Sequence, residues 1–307
     1  MAKCLVLGAN GFIGSHLVDS LIESGHKVRA FDRFNDNSET RFNENSDVEV
    51  FSGDFLNRND LDVALKDMDY IFHLISTTTP ITADADPLID VDTNIRMSIE
   101  LMQSCAENGA IKKVIFASTG GAIYGLNSGG SVSEDVTPLP ISPYAIGKLT
   151  IEHYLRYFEK KFGLSSLVYR ISNPYGERQP LAHKQGVIPI FLQHIANDEP
   201  ITILGDGSMV RDYIYVKDVA HMIAQSFENA QNGLYNLGSG QGVSVSELVK
   251  TIEKVVQRNV STDNAPSPAT FVEKIVLDTS RFEQEFNMKP AVSLEQGIKK
   301  TWEYLNK

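Results

Sequence analysis

The stretch LVLGANGFIGSHL, residues 5–17, constrains this chain more than any other. A short apolar run ends at Gly8, and an amphipathic run opens at Phe12, so a strand passes into a helix through a loop punctuated by Gly8, Gly11 and Gly14. Glycines at these points permit a tight turn and let an anionic group approach backbone N–H groups at the positive end of the helix. The spacing is G-x-x-G-x-x-G, one residue longer than the commonest dinucleotide fingerprint. On its own it also describes a plain glycine-rich turn. The second strand, VRAFD, ends at Asp32, placing an acid about 20 residues beyond the glycines, where it would hydrogen-bond ribose hydroxyls and repel a 2′-phosphate. This favours NAD over NADP, tempered by the neighbouring Arg33; the plain alternative for Asp32 is a turn acid at a strand end.

The alternation continues through KCLVLG, HKVRAFD, VEVFSGD, DYIFHL, IKKVIFAS and SSLVYRIS, with longer amphipathic stretches between them. That rhythm predicts an α/β chain: a Rossmann-type, doubly wound parallel sheet with helices on both faces. After RISNPYG it loosens, and the LYNLGSG segment reads as a turn. We therefore expect a dinucleotide-binding domain over 1–174 and a smaller C-terminal substrate-binding lobe over 175–307, with some chain crossing back.

The third feature is SPYAIGKLTIEHYLRYFEKKFG. Ser142 as N-cap, Pro143 at the first helical position and Gly163 past the end predict a helix. Stepping by three or four gives Tyr144, Lys148, Ile151, Leu155, Phe158 and Phe162 on one stripe, so the lysine shares a face with core residues. A Y-x-x-x-K pair can be an aromatic packing residue beside a snorkelling lysine. Beside a cationic nicotinamide, an ammonium would instead favour the phenolate and let Tyr144 deprotonate an alcohol. The strand VIFAST ends in Ser118 and Thr119, either of which supplies a hydroxyl to orient the same substrate oxygen.

Composition bounds the partners. The 307 residues carry a formal net charge of −11 with no long basic run, which disfavours nucleic acid or an anionic membrane. No apolar stretch is long enough to span a bilayer, so no membrane insertion is expected. Cys4 and Cys105 form neither a disulfide framework nor a metal-ligand spacing, and no metal site is expected. A cytoplasmic location follows as the simple expectation.

With these motifs in order, the sequence resembles the extended short-chain dehydrogenase/reductase family, and within it the NAD-dependent nucleotide-sugar epimerases similar to UDP-glucose 4-epimerase. The resemblance covers nearly the full length. It implies that Gly8, Gly11, Phe12, Ile13 and Gly14 hold the NAD pyrophosphate and Asp32 the ribose. It likewise implies that Asp54 and Phe55 of SGDFLN flank the adenine, and that Leu74, Ile75 and Ser76 of HLIST line the cofactor. Asn94 of VDTNIRMS belongs to the same set, as do Tyr144, Lys148 and Ile171, the last with Ser172 near the nicotinamide. Asn173 and Arg211 resemble contacts to the substrate pyrophosphate. A second diphosphate arginine is usual before the LD of the C-terminal lobe; Pro268, Ala269 and Thr270 stand there instead, and of Arg178, Lys274 and Arg281 the first is expected to replace it, the alternative for Arg178 being a surface pair with Glu177. The family's catalytic hydroxyl usually lies four residues before the tyrosine of YG. That place holds Gly120, so the role falls to Thr119, with Ser118 as the fallback.

The implied reaction inverts C4 of a nucleotide-activated hexose of the UDP-glucose/UDP-galactose type, N-acetylated or not, through a 4-keto intermediate. A dehydratase would carry an acid pair after the catalytic hydroxyl, and a decarboxylase a glutamate; those places hold Gly120 and Gly121. An NAD(P)H-dependent 4-ketoreductase of a nucleotide deoxysugar needs the same tyrosine and lysine and stays open. A non-catalytic nucleotide-sensing protein on the same fold is the remaining alternative. The resemblance also implies a homodimer.

Overall fold

The computed structural model describes residues 1–34, 39–125, 130–181, 186–231, 233–266 and 272–306. In the first half, strands β1 (Lys3–Leu7), β2 (Lys27–Asp32), β3 (Val48–Ser52), β4 (Tyr70–His73), β5 (Lys113–Thr119) and β6 (Ser166–Ile171) alternate with helices. The helices are α1 (Phe12–Glu23), α2 (Arg58–Ala64), α3 (Pro80–Ala85), α4 (Pro87–Asp90), α5 (Arg96–Asn108), entered by a π turn over Val91–Ile95, and α6 (Pro143–Phe162). In the second half come β7 (Asn173–Tyr175), α7 (Val187–Ala196), β8 (Ile201–Leu204), β9 (Val210–Tyr215), α8 (Val216–Ser226), β10 (Leu234–Leu237) and β11 (Gly242–Ser244). They are followed by α9 (Val245–Val256), β12 (Thr262–Ala265), β13 (Lys274–Ile275), α10 (Ser280–Phe286) and α11 (Leu294–Leu305).

The main sheet has seven strands in the order β10-β6-β5-β4-β1-β2-β3, every pair parallel. Strand β1 shows why a parallel arrangement follows from the sequence: four consecutive residues of KCLVL are buried, so both its faces need cover. Cys4 and Val6 pack towards α1, α8 and Phe282 of α10, whereas Leu5 and Leu7 pack towards α2, α5 and α6. This is the Rossmann-type, doubly wound architecture that the alternation predicts.

The LYNL segment differs from its reading as a turn. It forms β10, registered parallel to β6 with Tyr235 opposite Tyr169, and α8 packs on α1. The apolar face of VKDVAHMIAQS and three buried residues of LYNL drive this return, which completes the sheet edge from beyond residue 175.

Apart from α10, which packs on β10 with Phe282 in the main-sheet core, the rest of the second half builds a lobe around β9, which pairs with β7, β11 and β13. Its core joins Ile188, Phe191 and Leu192 of α7 to Leu248 and Ile252 of α9 and Ile298 of α11. Helix α6 has the predicted ends: the Ala145 amide donates to Ser142 Oγ at 3.4 Å, and Gly163 closes it with φ 72°. Lys148, Ile151, Leu155 and Phe158 are buried as the stripe requires; Phe162, at the last position, is exposed and stacks on Phe158.

Candidate active site

The chain runs from β1 outward to β2 and β3, then returns to lay β4, β5 and β6 on the other side of β1. At such a reversal the helices diverge to opposite faces and leave a crevice beyond the carboxyl ends of the strands. Leu7, His73 and Phe116 stand in register on β1, β4 and β5. The residues that follow them face the crevice from strands about 5 Å apart.

Gly8 has φ +86°, and the amides of Gly8 and Ala9 both donate to the Phe31 carbonyl at 3.0 and 3.1 Å, which folds the loop back over β2. A Cβ on Gly14 would stand 2.0 Å from the Gly8 carbonyl oxygen, so only glycine lets α1 begin this close to the loop. No side chain caps the start of α1 at Gly11, and its first-turn amides face the loop opening. Asp32 Oδ2 accepts from the Asn10 amide at 2.9 Å and Oδ1 from the Arg33 amide at 2.8 Å. The acid therefore braces the loop while standing at its mouth. A bare backbone cradle, an uncapped helix start and an acid at the end of β2 fit the pyrophosphate and ribose of a dinucleotide.

Around the cradle, Ile75 packs on Gly8, with its Cγ1 3.2 Å from where a Cβ would stand, and Leu74 precedes it. Ser76 Oγ donates to the Thr78 carbonyl at 3.0 Å. Asp54 Oδ1 accepts from the Leu56 amide at 3.0 Å, and the Phe55 ring lies buried 5.2 Å from that of His73. The amide of Asn94 is engaged at both ends: Oδ1 accepts from the Thr77 amide at 2.9 Å, and Nδ2 donates to Thr78 Oγ1 and Asp90 Oδ1, each at 2.9 Å. Asn94 thus orders the 76–78 segment that borders the crevice.

Helix α6 brings Tyr144 and Lys148 over the end of β5. Lys148 Nζ donates to the Ala117 carbonyl at 3.1 Å and sits 4.7 Å from the centre of the Phe116 ring and 5.8 Å from that of Tyr144. Burial pulls the Lys148 ammonium down to about 8, against the opposing pull of Asp90 and Glu152. The Tyr144 phenol is pushed up to about 12, chiefly by desolvation and further by Asp90. Burial thus disfavours the charged form of both groups.

The two hydroxyls ending β5 are separated by the strand's alternation. Ser118 Oγ donates to Glu152 Oε1 at 2.5 Å, and Glu152 is gripped by Arg170 through Nη2 at 2.7 Å and Nε at 3.2 Å. Thr119 faces the other way, and among the described residues no partner takes its hydroxyl. Next to it, a Cβ on Gly120 would come within 2.5 Å of Leu277 Cδ1 and 2.9 Å of the Arg170 carbonyl oxygen. No hydroxyl-bearing residue fits there.

Just past β6, Asn173 Nδ2 donates to the Asp212 carbonyl at 2.8 Å, and its side chain borders Gly121. Arg211 lies on β9 with Nη1 donating to the Val210 carbonyl at 2.8 Å, and burial lowers its guanidinium. Arg178 stands apart from these two. β7 and β9 are registered with Asn173 opposite Tyr213, so Arg211 lies before one end of the pair and Arg178 beyond the other. Its guanidinium meets Asp19 of α1 at 2.8 Å rather than Glu177, which accepts from Tyr215 and pairs with Lys217. It also lines a cavity of about 800 Å³ with Asn10, Arg41 and Tyr304, into which none of Thr119, Tyr144 and Lys148 projects. Pro268, Ala269 and Thr270, the expected place of a second arginine, lie outside the described residues, as does His183.

Asp90, Glu152 and Arg170 escape the motif reading. Glu152 had a signal: it follows Tyr144 and Lys148 at the same four-residue step, a second charge on an inward stripe. For Asp90 the signal was indirect, a glycine at 147 in the middle of a helix, which costs about 1 kcal/mol unless something must approach closely.

The NAD dependent epimerase/dehydratase family profile matches residues 4–238. The chain belongs to that family. This agrees with the resemblance drawn from the motifs, and members of the family depend on NAD. A solved UDP-glucose 4-epimerase from Thermotoga maritima, with UDP-glucose, superposes with a TM-score of 0.92 at 35% identity, covering 99% of this chain and 98% of that one. The UDP-glucose 4-epimerase of Thermus thermophilus, in complex with NAD, gives 0.89 at 30% identity with 99% of both chains covered. A dTDP-4-dehydro-6-deoxyglucose reductase from Escherichia coli is 33% identical over 303 residues, 96% of this chain and 95% of the relative. Among the described residues, no helix is long and apolar enough to cross a membrane.

Proposed function

We propose that the chain is an NAD-dependent epimerase that inverts C4 of a nucleotide-activated hexose of the UDP-glucose/UDP-galactose type. The observation that carries this reading is the end of β5. There Thr119 ends the strand whose Ala117 carbonyl holds Lys148, and the next two positions are glycines, the first with no room for a side chain. That leaves proton transfer to and from one sugar hydroxyl, without the acids that elimination of water or decarboxylation would use. NAD, when bound, supplies a reversible hydride acceptor for the carbon bearing that hydroxyl. Tyr144, ionised beside the cationic ring and the Lys148 ammonium, would take the hydroxyl proton and return it when hydride comes back; Thr119 orients the oxygen, and Lys148 is fixed on the Ala117 carbonyl. The residues from 173 onward, apart from α8, β10 and α10, form the lobe that grips the nucleotide diphosphate through Asn173 and Arg211 and leaves the hexose free to turn.

The reductase relative favours a second reading, a 4-ketoreductase of a nucleotide deoxysugar. One assay separates them: the purified protein is denatured and its nucleotide identified, and the enzyme is incubated with a panel of nucleotide sugars. Bound NAD(H) and interconversion of C4 epimers without added reductant support the epimerase; stoichiometric consumption of NADPH by a 4-keto sugar overturns it. Tyr144→Phe is expected to abolish turnover and retain NAD.

The same reading includes a homodimer. On α6, Ile146, Tyr154 and Tyr157 recur on an exposed stripe, and α4, which packs on α6, exposes Leu88. Sedimentation at the mass of a single chain would remove it. Cys4 and Cys105 are buried and unpaired, in keeping with a reducing compartment, and the cytoplasm is the proposed location.

A further inference from the structure

Asp90 ends α4 and is buried at 3% exposure. Its Oδ1 accepts from Thr78 Oγ1 at 2.5 Å and Asn94 Nδ2 at 2.9 Å, which fixes the plane of the carboxylate. Oδ2 is aimed at α6. A Cβ on Gly147 would stand 2.0 Å from it, so the oxygen occupies the space that any other residue at 147 would fill. Gly147 lies between Tyr144 and Lys148 in sequence, and all three belong to one turn of the helix. A buried carboxylate is costly unless a cation or several donors meet it. The donors on Oδ1 are neutral, and no hydrogen bond among the described residues reaches Oδ2.

Of the charged groups around this turn, Glu152 on α6 is bound to Arg170 of β6 and to Ser118 of β5. His73 of β4 is held neutral by its burial and by Lys148. Lys148 is thus the cation left for Asp90, and Tyr144 the acid closest to it in the same turn.

We propose that Asp90 is a positioning residue for the reaction: its carboxylate, pinned by Thr78 and Asn94 and pressed onto Gly147, supplies the counter-charge that keeps Lys148 an ammonium beside Tyr144. The proposal rests on the reading of Tyr144 as the group that exchanges the substrate proton. The directions of the two titrations agree with it, since Asp90 raises both. Gly147 has a matching role, because a helix bearing any side chain there would push the carboxylate off the pair.

The test is Asp90→Asn in the NAD-loaded enzyme, which keeps size and the acceptor for Thr78 while removing the charge. Tyr144 is titrated through its tyrosinate absorbance, isolated by subtracting the Tyr144→Phe form of each background, and the pH profile of kcat/KM is recorded beside it. With the negative charge gone, the phenol ionises more readily and Lys148 loses its proton more readily. The Tyr144 titration and both limbs of the profile are therefore expected to move to lower pH, by about one unit. An unmoved titration overturns the proposal, as does a fall in kcat with the profile in place, which a merely structural role would give. Should the amide be rejected over Gly147, Asp90→Ser removes the charge with a smaller side chain, and the same outcomes apply. The absorbance titration needs no sugar, so failure to turn over nucleotide sugars would count against the epimerase reading alone.

Discussion

Ser118 and Thr119 are neighbours at the end of β5 with opposite attachments: Ser118 donates to the buried Glu152 at 2.5 Å, and Thr119 has no such partner among the described residues. A hydroxyl bound to a buried carboxylate serves the fold, and one left at the crevice serves a ligand. Thr119→Val is accordingly expected to lower turnover by about 10²-fold, the scale of losing one positioned hydrogen bond in proton transfer, with stability little changed. Ser118→Ala should lower the melting temperature and leave most of the turnover. A reversal of these two effects would move the catalytic hydroxyl to Ser118.

Asp32 holds the loop through Asn10 and is proposed to hold the ribose, and one substitution can separate the two. Its Oδ2 holds the Asn10 amide, and the same carboxylate stands where a ribose would lie. Asp32→Asn keeps an acceptor for Asn10 and should keep the fold while loosening NAD. Asp32→Ala loses both, so the protein should emerge without NAD(H) and with a lower melting temperature. Cofactor content after gel filtration decides it, and full NAD retention in Asp32→Ala would take the acid out of the cofactor site.

Much of this arrangement was legible in the chain. The strands, the cradle and α6 follow from local rules, namely apolar runs, glycines at fixed steps, and a Ser-Pro start with a Gly stop. Two kinds of information were not. β10 became part of the main sheet only because α8 packs on α1, a contact between residues some 200 apart in sequence, which no local pattern encodes. Likewise Asp90, delivered from another helix against Gly147, adds to the desolvation that raises the Tyr144 phenol. The tyrosine–lysine spacing identifies the pair and is silent on its charge balance. Arg178 is the converse case: adjacency to Asn173 in sequence suggested one cleft, and a chain leaving a strand carried it to Asp19 instead.

Two buried histidines make stability depend on pH. Burial depresses His73 to about 3 and His16 to about 4, from an ordinary 6.5. In the unfolded chain both take up a proton near pH 6.5, so their contribution is complete above that value and is lost as pH falls towards 4 and then 3. Near pH 5 each should cost about 2 kcal/mol relative to neutral pH. Urea unfolding across this range, compared with His16→Gln and His73→Gln, measures the share of each. A variant as acid-sensitive as the parent would mean that the histidine in question is not buried neutral.

Arg211 carries the heaviest expectation for substrate. It lies on β9 near Asn173, and burial lowers its guanidinium, so a charge is being held where solvation is poor. Such a charge is worth retaining where a dianion will meet it. Removing it should strip a bound diphosphate of its main counter-charge, and Arg211→Ala is expected to weaken UDP binding by about 2 to 4 kcal/mol. NAD should stay bound, because Gly8, Gly11 and Gly14, proposed to cradle its pyrophosphate, belong to the β1–α1 segment and not to β9. Titrating the variant with UDP while following its NAD content reads both at once. Unchanged UDP affinity would remove Arg211 from the site, and loss of NAD would mean that the β9 lobe and the cradle do not bind as separate units.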